Sequence, residues 1–153
     1  MALIVGDKIP EFSLLDQTGK IKTNKDFKGK PLVLFFYPKD DTPGCTIEVC
    51  GFRDKYDLFE ILGANVCGIS KSNEESHFIF SKKNKLQYPL LSDEGNSLRK
   101  AFGVRKFLGM IDGRVTYIID SQGIIRHIYE DILNGPAHIK EALSVLKQMQ
   151  NES

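Results

Sequence analysis

The sequence has no long apolar stretch at its start. In MALIVGDKIPEF a four-residue apolar run, Ala2 to Val5, follows Met1 before Gly6 and Asp7 intervene. A secretory signal needs a longer apolar region behind a basic start, and a spanning helix needs about 20 apolar residues. An Arg- and Ser-rich organelle leader is missing too, so the expectation is a cytoplasmic protein with no membrane partner. Charge of one sign is also lacking: 21 Lys and Arg stand against 20 Asp and Glu, a net of +1. That balance supplies no electrostatic reason to bind nucleic acid or an anionic surface. Cysteine is scarce, and Cys45, Cys50 and Cys67 are too few and oddly numbered for a secreted disulfide framework. The three histidines, His77, His127 and His138, are scattered, and zinc needs about four ligands at characteristic spacing, so no metal is expected. Internal repeats and low-complexity tracts are absent.

What remains is the make-up of an ordinary globular protein, 41% apolar and 27% charged. Its 153 residues match one domain spanning 1–153 with one sizeable core. Pro31 to Tyr37, PLVLFFY, is a continuous apolar run that predicts a strand buried on both faces. Lys20 to Lys30, just before it, reads as a solvated connection. After the turn-rich PKDDTPG, the apolar residues Val49, Phe52, Tyr56, Phe59 and Leu62 recur at steps of three and four. They predict a helix with one core face, capped by Gly63. Further along, strands are expected over Asn65 to Ser70, Tyr88 to Ser92, Val115 to Ile119 and Ile124 to Tyr129. Helices are expected over Asn73 to Lys85, Ser97 to Phe102 and from about Pro136 to Met149. Alternating strands and helices followed by a hairpin and a closing helix predict an α/β domain with a mixed central sheet.

The informative segment is Pro38-Lys39-Asp40-Asp41-Thr42-Pro43-Gly44-Cys45-Thr46-Ile47-Glu48-Val49-Cys50. It places Cys45 where a buried strand hands over to an amphipathic helix. The unpaired N–H groups and the dipole of a helix start favour negative charge, which lowers a thiol's pKa and raises its nucleophilicity. Pro38 and Pro43 restrict the loop, and Gly44 lets backbone N–H groups approach a bound oxygen. Thr42 offers a hydroxyl to the thiolate. The competing reading is a small, inert, buried cysteine; a Pro- and Gly-rich loop opening a helix is a poor place for one.

Pro38, Thr42 and Cys45 reproduce the P-x-x-x-T-x-x-C signature, and in this respect the chain resembles the peroxiredoxins. The flanks FFYPKDDTPGCT and CGFRD are similar to the bacterioferritin-comigratory, or peroxiredoxin Q, branch. GDKIPEFSLLDQTG, NVCGIS, YPLLSDEG, FGV and VTYIIDSQGII extend the likeness over nearly the whole chain. The resemblance implies a thioredoxin-like fold, with which the element order is compatible. It also implies reduction of hydrogen peroxide and organic hydroperoxides, no bound cofactor, and thioredoxin or a similar dithiol protein as reductant. A monomer or weak homodimer is expected.

By the same resemblance Cys45 is the peroxidatic cysteine, Thr42 and Pro38 shape its pocket, and Cys50 resolves the oxidised thiol within the chain. Arg114, just before VTYIID, matches the family's arginine beside the thiolate, with Arg99 and Arg105 as competitors. Glu48 either orients that arginine or is a solvated helix carboxylate. Cys67, in NVCGIS, reads as core. Phe107, Leu108 and Met110 form a loop that covers the site, meets another subunit or fills a gap in the core. The histidines carry no assigned role. Outside the family, a disulfide reductase of thioredoxin type needs C-x-x-C, whereas four residues separate Cys45 from Cys50. A non-enzymatic binding domain would leave Cys45 with ordinary reactivity.

Overall fold

The computed structural model describes residues 2–152. Two short strands, β1 (Ser13–Leu15) and β2 (Ile21–Thr23), come first and run into a 3-10 helix, Asn24–Phe27. The central strand β3 (Leu32–Phe36) leads to α1 (Pro43–Asp54) and α2 (Tyr56–Ile61). Then follow β4 (Asn65–Ser70), α3 (Glu74–Lys83), β5 (Leu90–Ser92) and α4 (Ser97–Phe102). The hairpin β6 (Val115–Ile119) and β7 (Ile125–Glu130) and the long α5 (Gly135–Asn151) close the chain. The strands form one mixed sheet in the order β2-β1-β5-β4-β3-β6-β7. β3, β4 and β5 are parallel, with the helices as crossovers, and β6 lies antiparallel to β3. This is the mixed sheet with flanking helices of the thioredoxin-like class. Among the described residues, no helix is long and apolar enough to cross a membrane.

All five residues of β3 are buried, as the unbroken apolar run requires. Val33 and Phe35 face a core completed by Val49, Phe52, Phe59, Phe80 and Ile139; Leu32, Leu34 and Phe36 face a second core with Cys67, Ile69, Leu98 and Phe102. Phe35 stacks on Phe52 with ring centroids 4.4 Å apart. Burying a side chain of this size contributes about 1.5–3 kcal/mol. That stacking clamps α1 over the strand that leads into it.

Two expectations need correction. The segment Lys20 to Lys30 is not a plain solvated connection. Asp16 accepts from the backbone N–H groups of Thr18 and Lys20, turning β1 into the edge strand β2, and Phe27 of the 3-10 helix is buried. Three-residue strands are too short for alternation to register. The helix carrying Val49 to Leu62 is also two helices rather than one. It bends at Lys55 (φ −103°, ψ 9°), yet Lys55 N still donates to Gly51 O at 3.2 Å. The apolar stripe therefore keeps phase across the bend. Gly63, at φ 70°, ends α2 as expected: its N–H reaches Glu60 O and that of Ala64 reaches Phe59 O.

Candidate active site

The sheet brings the site together. β3 delivers the chain to Tyr37 and Pro38, and its last residue, Phe36, pairs with Val115, the first residue of β6. Arg114 is thereby held beside the carboxyl end of β3, the end from which the 38–42 loop leads into α1. Thr42 is the extended N-cap residue of α1 (φ −95°, ψ 151°) and Pro43 occupies the first turn, where its missing N–H costs nothing. Cys45 is the third residue of the helix and 1% exposed.

Arg114 is buried and uses all three nitrogens. Nη2 donates to Cys45 Sγ at 3.6 Å, Nη1 to Glu48 Oε1 at 2.6 Å, and Nε to the Ile132 carbonyl at 3.1 Å. Gly44 makes this approach feasible, because a Cβ there would sit 3.2 Å from Arg114 Nη2. Burial works against the guanidinium's charge, but Glu48 and Cys45 outweigh it and hold its pKa above the ordinary value. Glu48 is wholly buried, and burial raises its carboxyl to about 7 despite the pull of Arg114. It is therefore the orienting carboxylate rather than a solvated one.

The competing arginines are elsewhere. Arg105 is exposed and bonded to Glu130. Arg99 is buried, lies 5.4 Å over the Phe36 ring, and donates to the carbonyls of Gly113 (2.6 Å) and Tyr37 (2.8 Å). It thus ties the residue before Arg114 to the start of the Cys45 loop, without bonding the sulfur. The Thr42 hydroxyl donates to Lys39 O at 3.1 Å, which leaves its oxygen lone pairs as its remaining capacity. Pro38 is half-buried at the end of β3.

Cys50 lies in the same helix as Cys45, half-buried, with Sγ 3.4 Å from Asn84 Oδ1; burial raises its thiol pKa. Cys67 is fully buried in β4 and burial pushes its thiol far up, so it is a core residue. All three thiols are free. The loop with Phe107, Leu108 and Met110 does not fill a gap in the core. Leu108 and Met110 are about three-quarters exposed, at 76% and 77%. Phe107 and Leu108, with Arg105, Lys106 and Ile132, line a cleft of about 370 Å³ that reaches Arg114.

Sequence reasoning missed two buried polar groups. Asp40, in the loop before Cys45, accepts from Tyr37 OH (2.6 Å) and Ser76 OH (2.8 Å) and lies 2.7 Å from His77 Nδ1. His77 Nε2 is 3.0 Å from the Leu91 carbonyl. Both ring nitrogens face acceptors, so a proton sits between the ring and Asp40, and the loop is anchored through it. The second is His138, next to Glu48. Both histidines share a helix face with core residues: His77 with Phe80, and His138 with Ala142 and Val145. That spacing was the available signal.

A thiol at a helix start, next to a fixed cation that has its own buried carboxylate, is placed to act as a nucleophile. The AhpC/TSA family model matches residues 5–128. The chain belongs to the peroxiredoxins. Peroxiredoxin Q of Sedum lineare chloroplasts is 46% identical over 146 residues, covering 95% of this chain and 78% of its own. Among solved structures, the peroxidoxin BcpB of Mycobacterium tuberculosis is 35% identical with a TM-score of 0.87, covering 95% of this chain and 97% of its own. The bacterioferritin comigratory protein of Xanthomonas campestris, studied for alkyl peroxide reduction, is 29% identical with a TM-score of 0.84, covering 94% and 99%. These likenesses put this peroxiredoxin in the peroxiredoxin Q, or bacterioferritin comigratory, branch. It is a thiol peroxidase, and its substrate is a hydroperoxide.

Proposed function

We propose that Cys45 is the peroxidatic thiol and that Cys50 resolves it within the same chain. The Cys45 thiolate attacks the terminal oxygen of a hydroperoxide. The O–O bond breaks, the departing oxygen takes up a proton and leaves as water or an alcohol, and Cys45 becomes a sulfenic acid. Arg114 and the N–H groups of Gly44 and Cys45, which have no carbonyl partner within the helix, stabilise the charge on the separating oxygens. Thr42 accepts a hydrogen bond from the protonated peroxide oxygen, and Pro38 walls the pocket. The Cys50 thiol then condenses with the sulfenic acid, forming a disulfide and releasing water. A dithiol protein of thioredoxin type reduces that disulfide by two exchanges and returns both thiols. The chemistry needs no bound cofactor, and the enzyme works as a monomer or weak homodimer.

The observation that carries this reading is the buried guanidinium of Arg114, donating at once to Cys45 Sγ and Glu48 Oε1. The cleft lined by Phe107 and Leu108 accommodates the tail of an organic hydroperoxide, in keeping with the alkyl peroxide reduction studied in the Xanthomonas relative. Stopped-flow mixing of reduced protein with hydrogen peroxide tests the assignment. A stoichiometric burst of peroxide consumption is expected before any reductant is added, and none from Cys45→Ser. A burst of wild-type rate in that variant would overturn it.

A further inference from the structure

Behind Arg114 lies a polar pocket that the proposed chemistry does not use. Glu48 spends one carboxylate oxygen, Oε1, on Arg114. The other, Oε2, is buried and has no hydrogen-bond partner. What faces it is the ring of His138 on α5, with Nδ1 at 3.6 Å and the residue fully buried. The ring is held from two further sides. Nε2 lies 2.8 Å from the Asp131 carbonyl, and Nδ1 lies 2.8 Å from the hydroxyl of Thr116 on β6.

Counting protons shows what this contact does. A carbonyl only accepts, so Nε2 carries the hydrogen, and in the neutral ring Nδ1 is a lone pair to which Thr116 donates. A carboxylate oxygen then faces a nitrogen lone pair in a site from which water is excluded. One proton placed between Glu48 and His138 satisfies both atoms. Burial, aided by the charge of Arg114, lowers the imidazole's pKa while burial raises that of the carboxyl to about 7, so both shifts favour placing that proton on the carboxyl. The other charged or titratable groups around Glu48 are Arg114, Cys45 on α1 and Tyr88, whose hydroxyl donates to Val49 O.

We propose that His138 is a positioning residue for peroxide reduction, holding the far oxygen of Glu48 and, through Glu48, the orientation of Arg114 at Cys45. The inference rests on the reading of Cys45 as the peroxidatic thiol. It makes a three-element relay, α5 to α1 to the start of β6, in which the ring's Nδ1 edge acts on the site. Its Nε2 edge anchors only the Asp131 loop.

Three substitutions separate the two edges. His138→Asn keeps a polar group near Nδ1 and loses the bond to Asp131. His138→Gln does the reverse, and His138→Phe loses both. The readout is the single-turnover rate of reduced protein with hydrogen peroxide, followed through the pH range around 7, with thermal unfolding recorded beside it. The expected result is a rate close to wild type for His138→Asn and a loss of about tenfold for His138→Gln and His138→Phe, as for a misplaced catalytic group. A normal rate in His138→Gln with a loss in His138→Asn would show that the ring only anchors the loop, and would overturn the proposal.

Thr116→Val covers the case in which a ring variant fails to fold. With no hydroxyl donating to Nδ1, the shared proton binds more tightly, so the pH inflection of the single-turnover rate should move upward. An unmoved inflection would contradict the relay. Cys45→Ser, measured in the same series, separates the two layers: peroxide consumption there defeats the underlying assignment, whereas an inert Cys45→Ser with indifferent His138 variants defeats only the relay.

Discussion

Cys45 and Cys50 stand five residues apart in one uninterrupted helix, α1, both as free thiols. Five residues of α-helix turn by about 500° and rise by about 7.5 Å, which leaves the two Cα atoms about 8.7 Å apart. A disulfide requires less than about 7 Å. The bond therefore cannot form while α1 is intact. Unwinding must break the bond from Tyr88 OH to Val49 O (2.8 Å) and the two contacts to Asn84, from Cys50 Sγ and from Arg53 Nη1. The expected outcome is new hydrogen exchange in the oxidised protein, confined mainly to about Gly44 through Lys55, with β3 protected in both redox forms. Equal protection of α1 in a sample proven to hold the Cys45–Cys50 bond would contradict the unwinding step.

The two buried arginines should fail differently. Arg114→Ala removes the cation that touches sulfur, so peroxide oxidation of Cys45 should slow by about a hundredfold or more. Arg99→Met leaves Arg114 in place but frees the carbonyls of Tyr37 and Gly113 inside the protein. Each unsatisfied carbonyl costs about 1–3 kcal/mol, so this variant should lose stability to urea more than it slows peroxide oxidation. Paired stopped-flow oxidation rates and urea titrations check both. Interchanged results would reassign the roles of the two residues.

Asp40 gathers Tyr37, Ser76 and His77 around one carboxylate. Asp40→Ala strands the buried Tyr37 hydroxyl and His77 ring, and the half-buried Ser76 hydroxyl, so it should cost about 3–5 kcal/mol of unfolding free energy. A cost below about 1 kcal/mol in urea denaturation would mean that the loop does not depend on this anchor.

These relationships also mark how far the sequence could be read. The strand over Pro31 to Tyr37, the helix start at Cys45 and the match at Arg114 were legible because each signal is local: an apolar run, a proline-bounded turn, a short motif before a strand. The roles of Asp40, His77 and His138 were not. Their partners lie far along the chain, 37 residues away for Asp40 and His77 and 22 for Thr116 and His138. Asp40 within the run Lys39, Asp40, Asp41 reads as a solvated turn until the fold brings a helix over it. The different contacts of Arg99 and Arg114 follow from the pairing of Phe36 with Val115, which no local pattern shows. The break at Lys55 left no trace because the apolar period survives it.

Glu48 carries a pH signature in stability. Its folded carboxyl, near 7 against an ordinary 4.5, binds its proton more tightly than the unfolded chain does. A raised folded value contributes stability that is present below about 4.5 and is lost as pH rises through about 7. Glu48→Gln has no such titration. The stability of this variant relative to wild type should therefore rise between those two values and level off above. A flat difference across that window, measured by denaturant titration at fixed ionic strength, would mean that the carboxyl is not held in its raised state.

The most direct measurement is peptide mapping of reduced protein treated with a limiting amount of hydroperoxide and then alkylated. In the wild type, Cys45 and Cys50 should be recovered as one intrachain disulfide, with Cys67 alkylated as a free thiol only after denaturation. In Cys50→Ser, Cys45 should stop as sulfenic acid and pass to sulfinic acid with excess peroxide, because the competing condensation is gone. Peroxide consumption that leaves Cys45 fully alkylatable, or a bond from Cys45 to Cys67, would contradict the account.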